Sequence, residues 1–258
     1  MTFDPAIAAR EIDQAHLEGT AFSNLEGAAA PPTIDDAYTA QEALRTLWQP
    51  KFGPVAGLKI ATTTRVMQEL MGIDHPCGGM IYRDRIMHSG ATIDLANYQH
   101  CVIECELCVK LGQDLPDIGR DYTRDEVRNA VGSVMAAFEL IEDRNADYKT
   151  TDAKTLIADN AWNGGIVIGP DVALDTDVNL EGLRGFAMLD ERPHGEGLTD
   201  DPMGALAWVA NLAVRRGRPM TTDMYVITGS MIATFAIEAG QTVAFEIDGI
   251  GSVNVTAK

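Results

Sequence analysis

From Val55 onward, short apolar runs alternate with Gly, Pro and Asp, and this pattern constrains the fold more than any other feature. Apolar runs of this length between turn-forming residues are typical of β-strands. The best candidates are VAGLKI (55–60), CVIECELCV (101–109), GGIVIG (164–169), GFAML (185–189), MYVITG (224–229), TVAFEI (242–247) and SVNVTA (252–257). We therefore expect residues 51–258 to form a mixed-sheet or barrel-like body.

Residues 1–50 have a helical pattern instead. Ala8 and Ile12 recur at helical spacing, and a second helix is predicted to begin at Thr33, with two Asp residues in its first turn. Pro50 is expected to end that helix, because proline lacks the backbone N–H that the helix needs. Two further helices are predicted within the body, after the capping box Thr123-Arg124-Asp125-Glu126 and after Asp201-Pro202.

The stretch CVIECELCV contains two possible sites. Cys101, Cys105 and Cys108 have the C-x3-C-x2-C spacing of iron–sulfur ligands. In a strand, however, side chains alternate between faces, so Cys108 shares a face with Glu104 and Glu106 while the other two cysteines point the opposite way. The cysteines are therefore expected to be small buried residues, and the glutamates become the candidate site.

Two glutamates on one face of an apolar strand need a partner if they are buried. The alternative is a solvated strand face. Oxygen ligands of this kind suit a hard divalent cation such as Mg²⁺ or Mn²⁺. Glu139, in the apolar run AAFELIEDR (136–144), offers a third carboxylate and completes a plausible set of three ligands.

Charge and composition exclude some partners. The net charge of −18 disfavours nucleic acid and anionic membranes, since phosphate binding needs clustered Lys and Arg. The sequence has no apolar run long enough to span a bilayer and no secretory pattern near residue 1, and its four cysteines do not resemble a disulfide framework. We expect a cytoplasmic protein.

The blocks around these acids resemble those of a known family. They are GLKIATTTRVMQELMGIDHP (57–76), the E-C-E pair, AFELIEDR (137–144), IADNAWNGGIVIG (157–169) and ITGS (227–230). Over residues 35–256 their order resembles the 2-keto-4-pentenoate hydratase and 4-oxalocrotonate decarboxylase family of the fumarylacetoacetate hydrolase superfamily. The resemblance implies an α+β fold with a mixed β-barrel or roll, a Mg²⁺ or Mn²⁺ requirement and homo-oligomers. It also implies small 2-oxo or 2-hydroxy-enoic acid substrates from the catabolism of aromatic compounds.

The resemblance also implies residue roles. Glu104, Glu106 and Glu139 fall on the family's metal-binding carboxylates, and Lys59 falls on its active-site lysine. A cation held there would bind the carboxylate and 2-oxo oxygens of the substrate and act as a Lewis acid. Lys59 would pair with the substrate carboxylate or move protons, whereas spacing alone would make it an ordinary surface lysine at a strand end.

Several positions depart from the family pattern. Where hydratases have D-x-P-D-F-G, this chain has DHPCGG (74–79), so Cys77 replaces the acid implicated in proton transfer. We expect His75 and Cys77 in a Gly-rich turn, either as an alternative proton-transfer pair or as incidental side chains. Trp162 and Asn163 replace two small residues, and the indole either walls the pocket or packs in the core.

Four residues are predicted to bind substrate: Thr63, Asn160, Trp162 and Thr228. The other histidines have no ligand spacing and are expected at the surface or in the core; they are His16, His88, His100 and His194.

Three hypotheses follow for the function. The first is a metal-dependent lyase that hydrates a 2-oxo-enoic acid or removes its carboxyl group. The second is an acylpyruvate hydrolase, which needs a His–acid pair to activate water, with His75 as the candidate. The third is a metal-binding homologue without catalysis.

Overall fold

The computed structural model describes residues 2–174 and 178–258. Over these residues the chain forms six α-helices: α1 (Pro5–Glu18), α2 (Ile34–Phe52), α3 (Arg65–Met71), α4 (Arg124–Asn129), α5 (Ala153–Ala158) and α6 (Pro202–Arg215). The strands are β1 (Val55–Ala61), β2 (Cys77–Tyr82), β3 (Ile86–His88), β4 (Ala91–Ile93), β5 (Cys101–Leu111), β6 (Val131–Glu142), β7 (Asn163–Ile168), β8 (Val172–Ala173), β9 (Arg184–Leu189), β10 (Arg192–Leu198), β11 (Tyr225–Ser230), β12 (Phe235–Ala236), β13 (Thr242–Ile247) and β14 (Gly251–Ala257). Short 3₁₀ turns cover Arg83–Arg85, Leu95–Asn97 and Asn160–Trp162.

Two mixed sheets form the body. The larger has the order β2-β1-β11-β5-β6-β7-β3, with β12 added to β5 and β8 to β6, and the smaller has the order β10-β9-β13-β14-β4. Within the described residues neither sheet closes on itself, so the α+β prediction is confirmed in the form of a roll rather than a closed barrel. All the strands predicted from apolar runs are present.

The main core lies between the sheets. Phe138 of β6 faces Phe245 of β13, with ring centroids 6.2 Å apart. The odd-numbered residues of β5, Cys101 through Val109, belong to this core, whereas Cys108 packs in a separate apolar cluster with Ile227. The alternation predicted for CVIECELCV is therefore confirmed, and all four cysteines of the chain are free and buried.

The N-terminal helices pack onto the body. Thr33 caps α2 as predicted, accepting a hydrogen bond from the backbone N–H of Asp36. The predicted end at Pro50 is wrong by two residues, because α2 continues to Phe52. A proline in the last helical turn removes one hydrogen bond, and here the chain leaves the helix only at Gly53, which has a positive φ.

The segment after His75 is also different from the prediction. Residues Cys77–Tyr82 form the buried strand β2, not a Gly-rich turn. The glycines serve close packing: a Cβ at Gly79 would stand 2.5 Å from the carbonyl oxygen of Asn160 and 3.0 Å from Cγ of Lys59. Glycine is needed here because another part of the backbone approaches the strand.

Within residues 2–174 and 178–258, no helix is long and apolar enough to cross a bilayer.

Candidate metal centre and its cavity

Three carboxylates converge on one face of the larger sheet. Glu104 of β5 lies directly opposite Glu139 of the antiparallel β6, and Glu106 follows two positions along on the same face. Each offers one oxygen, and these oxygens lie within 4.8 Å of one another. Glu106 and Glu139 are fully buried, and Glu104 is partly exposed. This set of three carboxylates, the acidic triad, is the group expected from the sequence.

Lys59 of β1 supplies the one cation beside the acidic triad among the described residues. Its Nζ lies 3.1 Å from Oε1 of Glu139, and its side chain is 1% exposed. Burial disfavours the ammonium, but the attraction of the three carboxylates outweighs burial and raises the pKa of Lys59. Lys59 therefore stays charged.

The carboxylates remain in excess. Burial, followed by mutual repulsion, raises the pKa of Glu106 well above its ordinary value. Burial raises the pKa of Glu139 as well, against the opposing attraction of Lys59. Three ionised carboxylates and one ammonium have a formal charge of −2, which a divalent cation would neutralise.

The hydrogen bonds leave ligand atoms free. Asn163 Nδ2 donates to Oε1 of Glu139 at 2.8 Å, and the backbone N–H of Gly229 donates to Oε2 of Glu106 at 2.7 Å. The second oxygens, Oε1 of Glu106 and Oε2 of Glu139, are buried without a hydrogen-bond partner in the described part of the chain. Unpaired buried carboxylate oxygens are costly, and a hard cation is a suitable partner for them. The residues therefore fit a divalent metal.

A cavity of about 660 Å³ adjoins the triad at Glu104. Its lining includes Lys59, Glu104 and Val102 on the sheet, and Thr63, Met71 and Trp162 around them. Thr234, also in the lining, donates its hydroxyl to Oε1 of Glu104 at 2.7 Å. Thr63 and Trp162, both predicted to bind substrate, thus share one cavity with Lys59 and Glu104.

Asn160 and Thr228 have other partners. The amide of Asn160 donates to the carbonyl oxygen of Met80 at 2.9 Å and accepts from the N–H of Met80 at 2.7 Å, so it holds β2 in place. The hydroxyl of Thr228 donates to the carbonyl oxygen of Leu107 at 2.9 Å. Thr228 lines a neighbouring cavity of about 300 Å³, which shares Thr63 with the main one.

His75 and Cys77 lie outside the lining of the main cavity. His75 Nδ1 lies 2.7 Å from the carbonyl oxygen of Pro76, and its ring stacks on Trp208 at 6.4 Å. Burial raises the pKa of the Cys77 thiol to about 11. A thiol of that pKa holds its proton at neutral pH. Proton transfer by His75 and Cys77 stays a prediction.

One histidine that the sequence did not single out as a site residue lies in the main cavity. His100 lies in its lining, and its Nδ1 is 2.7 Å from Oδ1 of Asp143, which lines the same cavity. The available signal was strand alternation: continuing the face of Glu104 and Glu106 back along the chain reaches His100.

Trp162 reaches the cavity through unusual backbone geometry. Asn160, Ala161 and Trp162 all have positive φ, at 52°, 46° and 59°. Non-glycine residues adopt this left-handed conformation at a cost, and such strain is concentrated at functional sites. The indole packs edge-on against Phe22 and Tyr148, with centroids 5.1 and 5.2 Å away.

The fold and the site together define the class of protein: an α+β chain with a buried acidic centre suited to a divalent cation. The family model for the fumarylacetoacetate (FAA) hydrolase C-terminal domain matches residues 65–257, and the chain belongs to this family.

Curated relatives refine this assignment. The chain is 31% identical over 254 residues to 4-oxalocrotonate decarboxylase of Pseudomonas sp, covering 95% of both chains. It is 30% identical over 253 residues to 2-keto-4-pentenoate hydratase of Paraburkholderia xenovorans (strain LB400), covering 95% of this chain and 92% of the relative. The family and the lyase class predicted from the sequence are therefore confirmed.

A solved structure shares the fold over nearly the whole chain. It is 4-oxalocrotonate decarboxylase from Pseudomonas putida G7 complexed with magnesium and adipate, with a TM-score of 0.89, 23% identity, and coverage of 98% of this chain and 97% of that one. The same enzyme complexed with calcium and acetate matches with a TM-score of 0.88.

Proposed function

We propose that this chain is a divalent-metal-dependent lyase acting on a 2-oxo or 2-hydroxy-enoic acid, in the manner of 2-keto-4-pentenoate hydratase. The observation that carries the proposal is the acidic triad together with buried Lys59, which have a combined formal charge of −2 and adjoin a cavity large enough for a small organic acid. Glu104, Glu106 and Glu139 would hold the metal. The sequence and the relatives support this reaction class.

Mg²⁺ or Mn²⁺ is the proposed metal, because the ligands are all oxygens and carboxylates of this kind suit hard cations. A metal bound there supplies Lewis acidity toward the carboxylate and 2-oxo oxygens of the substrate. The magnesium and calcium of the decarboxylase structures are consistent with such a cation.

Lys59 has the second role in the proposal. Glu139 fixes its ammonium at 3.1 Å, and the surrounding burial excludes water from the pair. In this position Lys59 can bind the substrate carboxylate or pass a proton to a substrate carbon. Thr63 and Trp162 shape the cavity wall and would limit how the substrate lies.

Decarboxylation is the second candidate, and the position of Cys77 favours it. The acid that hydratases use for proton transfer is replaced here by a buried thiol with a raised pKa of about 11, outside the cavity. A decarboxylation has no water to activate, so it does not need that acid. The acylpyruvate hydrolase and the metal-binding homologue without catalysis remain outcomes of the test.

The test presents purified protein and Mg²⁺ with 2-hydroxypentadienoate, 4-oxalocrotonate and fumarylpyruvate in parallel. Formation of 4-hydroxy-2-oxopentanoate from 2-hydroxypentadienoate would establish hydratase activity. Release of CO₂ from 4-oxalocrotonate would establish decarboxylase activity. Cleavage of fumarylpyruvate alone would identify the hydrolase. No turnover of any substrate would overturn the lyase proposal in favour of the metal-binding homologue.

Three predictions from the family resemblance belong to the same proposal. We expect a homo-oligomer, a place in the catabolism of aromatic compounds and a cytoplasmic location. The first has a direct measurement: light scattering on the eluting protein should give a mass that is a multiple of 27.8 kDa.

A further inference from the structure

The cavity floor is a ladder of paired residues on β5 and β6. Glu104 pairs with Glu139 at one end, and Val102 pairs with Ile141 two positions along. His100 directly precedes β5 and Asp143 directly follows β6, one residue beyond the last pair of the ladder. All of these residues except Glu139 appear in the cavity lining. At about 3.3 Å per residue, the backbone of His100 lies roughly 13 Å from that of Glu104. The floor is thus acidic at one end, apolar in the middle and polar at the far end.

Asp143 fixes the imidazole at the far end. Its Oδ1 lies 2.7 Å from Nδ1 of His100 and accepts from the backbone N–H of Asn145 at 2.9 Å, and its Oδ2 accepts from the Tyr148 hydroxyl at 2.9 Å. The carboxylate is 3% exposed, whereas the histidine side chain is 37% exposed. Nε2 of His100 has no hydrogen-bond partner in the described parts of the chain. It is left for a ligand.

A second donor at this end also has no partner. Nε1 of Trp162 is buried without a hydrogen-bond acceptor, and the indole packs against the ring of Tyr148, whose hydroxyl holds Asp143. A buried N–H without an acceptor is costly in the free protein. An oxygen on a bound molecule would satisfy it.

We propose that His100, positioned by Asp143, recognises a terminal carboxylate on the end of the substrate far from the acidic triad. The site then selects 2-oxo dicarboxylic acids over 2-oxo monocarboxylic acids of the same length. An imidazolium donates from Nε2 to the carboxylate while Nδ1–H donates to Asp143, which supplies the counter-charge. Val102 and Ile141 accommodate the carbon chain between the ends. The inference rests on the proposed function, because the other end of the substrate must be held at the triad.

Binding calorimetry on the Mn²⁺-loaded protein tests this without turnover. One ligand is pyruvate, which has only the carboxylate and 2-oxo group that would bind at the triad. The others are saturated 2-oxo acids of six, seven or eight carbons, and each length is used as a pair, one acid ending in a methyl group and the other in a carboxylate. The variants are His100→Ala, His100→Gln and Asp143→Asn. His88→Ala is the matched control, because His88 is exposed at the end of β3 and lines none of the cavities described above.

For at least one chain length, we expect the wild type to bind the dicarboxylate at least about tenfold more tightly than the monocarboxylate of the same length. A charge-assisted hydrogen bond provides a gain in affinity of this size. His100→Ala should abolish the preference and leave pyruvate affinity unchanged. His100→Gln should keep part of it through its amide N–H, and Asp143→Asn should reduce it because the imidazolium loses its counter-charge. His88→Ala should match the wild type.

The outcomes separate the two proposals. Pyruvate binding with no dicarboxylate preference at any length overturns the His100 inference alone, as does a preference that survives in His100→Ala. Failure of every 2-oxo acid to bind the Mn²⁺-loaded wild type overturns the proposed function and this inference together.

Discussion

Glu104 and Glu139 occupy directly paired positions on adjacent antiparallel strands, where like charges destabilise a sheet. Lys59 offsets one of the three carboxylates, through Glu139. The remaining repulsion destabilises the metal-free carboxylate cluster and favours the binding of a cation. The strand register itself therefore disposes this part of the sheet to bind metal.

Glu106→Gln should weaken Mn²⁺ binding by roughly 100-fold or more. Even mutation of a residue that only hydrogen-bonds to a metal ligand typically lowers metal affinity by about 10–100-fold. The amide keeps the shape of the side chain but removes the charge of a fully buried carboxylate. Calorimetry measures the affinity, and Glu246→Gln, on the exposed face of β13, is the matched control. Equal affinity in Glu106→Gln and wild type would contradict the carboxylate site.

Removing the metal should make stability fall as the pH rises. The pKa values of Glu106 and Glu139 are raised in the folded protein, so between the unfolded and folded pKa values the folded state binds more protons. The stability is therefore present at low pH and lost as the pH rises through the folded values. Thermal unfolding with a chelator should show a steeper decline from about pH 5 to about pH 8 in wild type than in Glu106→Gln. Parallel curves would count against mutual repulsion at the triad.

Lys59→Met should lower kcat by roughly 10²–10⁴, the range for loss of a proton-transfer group. The carboxylates remain, so Mn²⁺ should still bind, and removing the positive charge should favour the cation. Calorimetry and steady-state kinetics separate the two effects. Lys110→Met, on β5 and outside the lining of the main cavity, serves as the control. Full activity in Lys59→Met would remove the lysine from the mechanism.

The cysteines should be inert in the folded protein. Burial raises the pKa of Cys101 to about 12 and of Cys77 to about 11, and the other two thiols are likewise buried and shifted upward. An aromatic disulfide reagent at about pH 8, near the ordinary thiol pKa, should label none of them until the protein is denatured. Cys105→Ala should leave Mn²⁺ affinity unchanged. A coloured, iron-containing wild type that loses its colour in this variant would revive the cluster hypothesis.

The sequence predicted the strands and the acidic triad because alternation along a strand is a local property. It could not predict which strands become neighbours. The glycines 78 and 79 looked like a turn because the reason for them, the approach of Asn160 and Leu212, comes from distant parts of the chain. His100 was passed over because its partner Asp143 lies 43 residues away, just past the end of the adjacent strand.

The strand order also bears on how the protein folds. β11 lies between β1 and β5, although it is formed by residues Tyr225–Ser230. Lys59 and the two glutamates of β5 therefore take their places only when a segment more than a hundred residues downstream of both strands has inserted between them. Non-local pairing of this kind slows folding. During synthesis the candidate metal centre should be among the last features to be completed, because a nascent chain that stops before β11 lacks the Gly229 N–H that holds Glu106 and the strand that places Lys59.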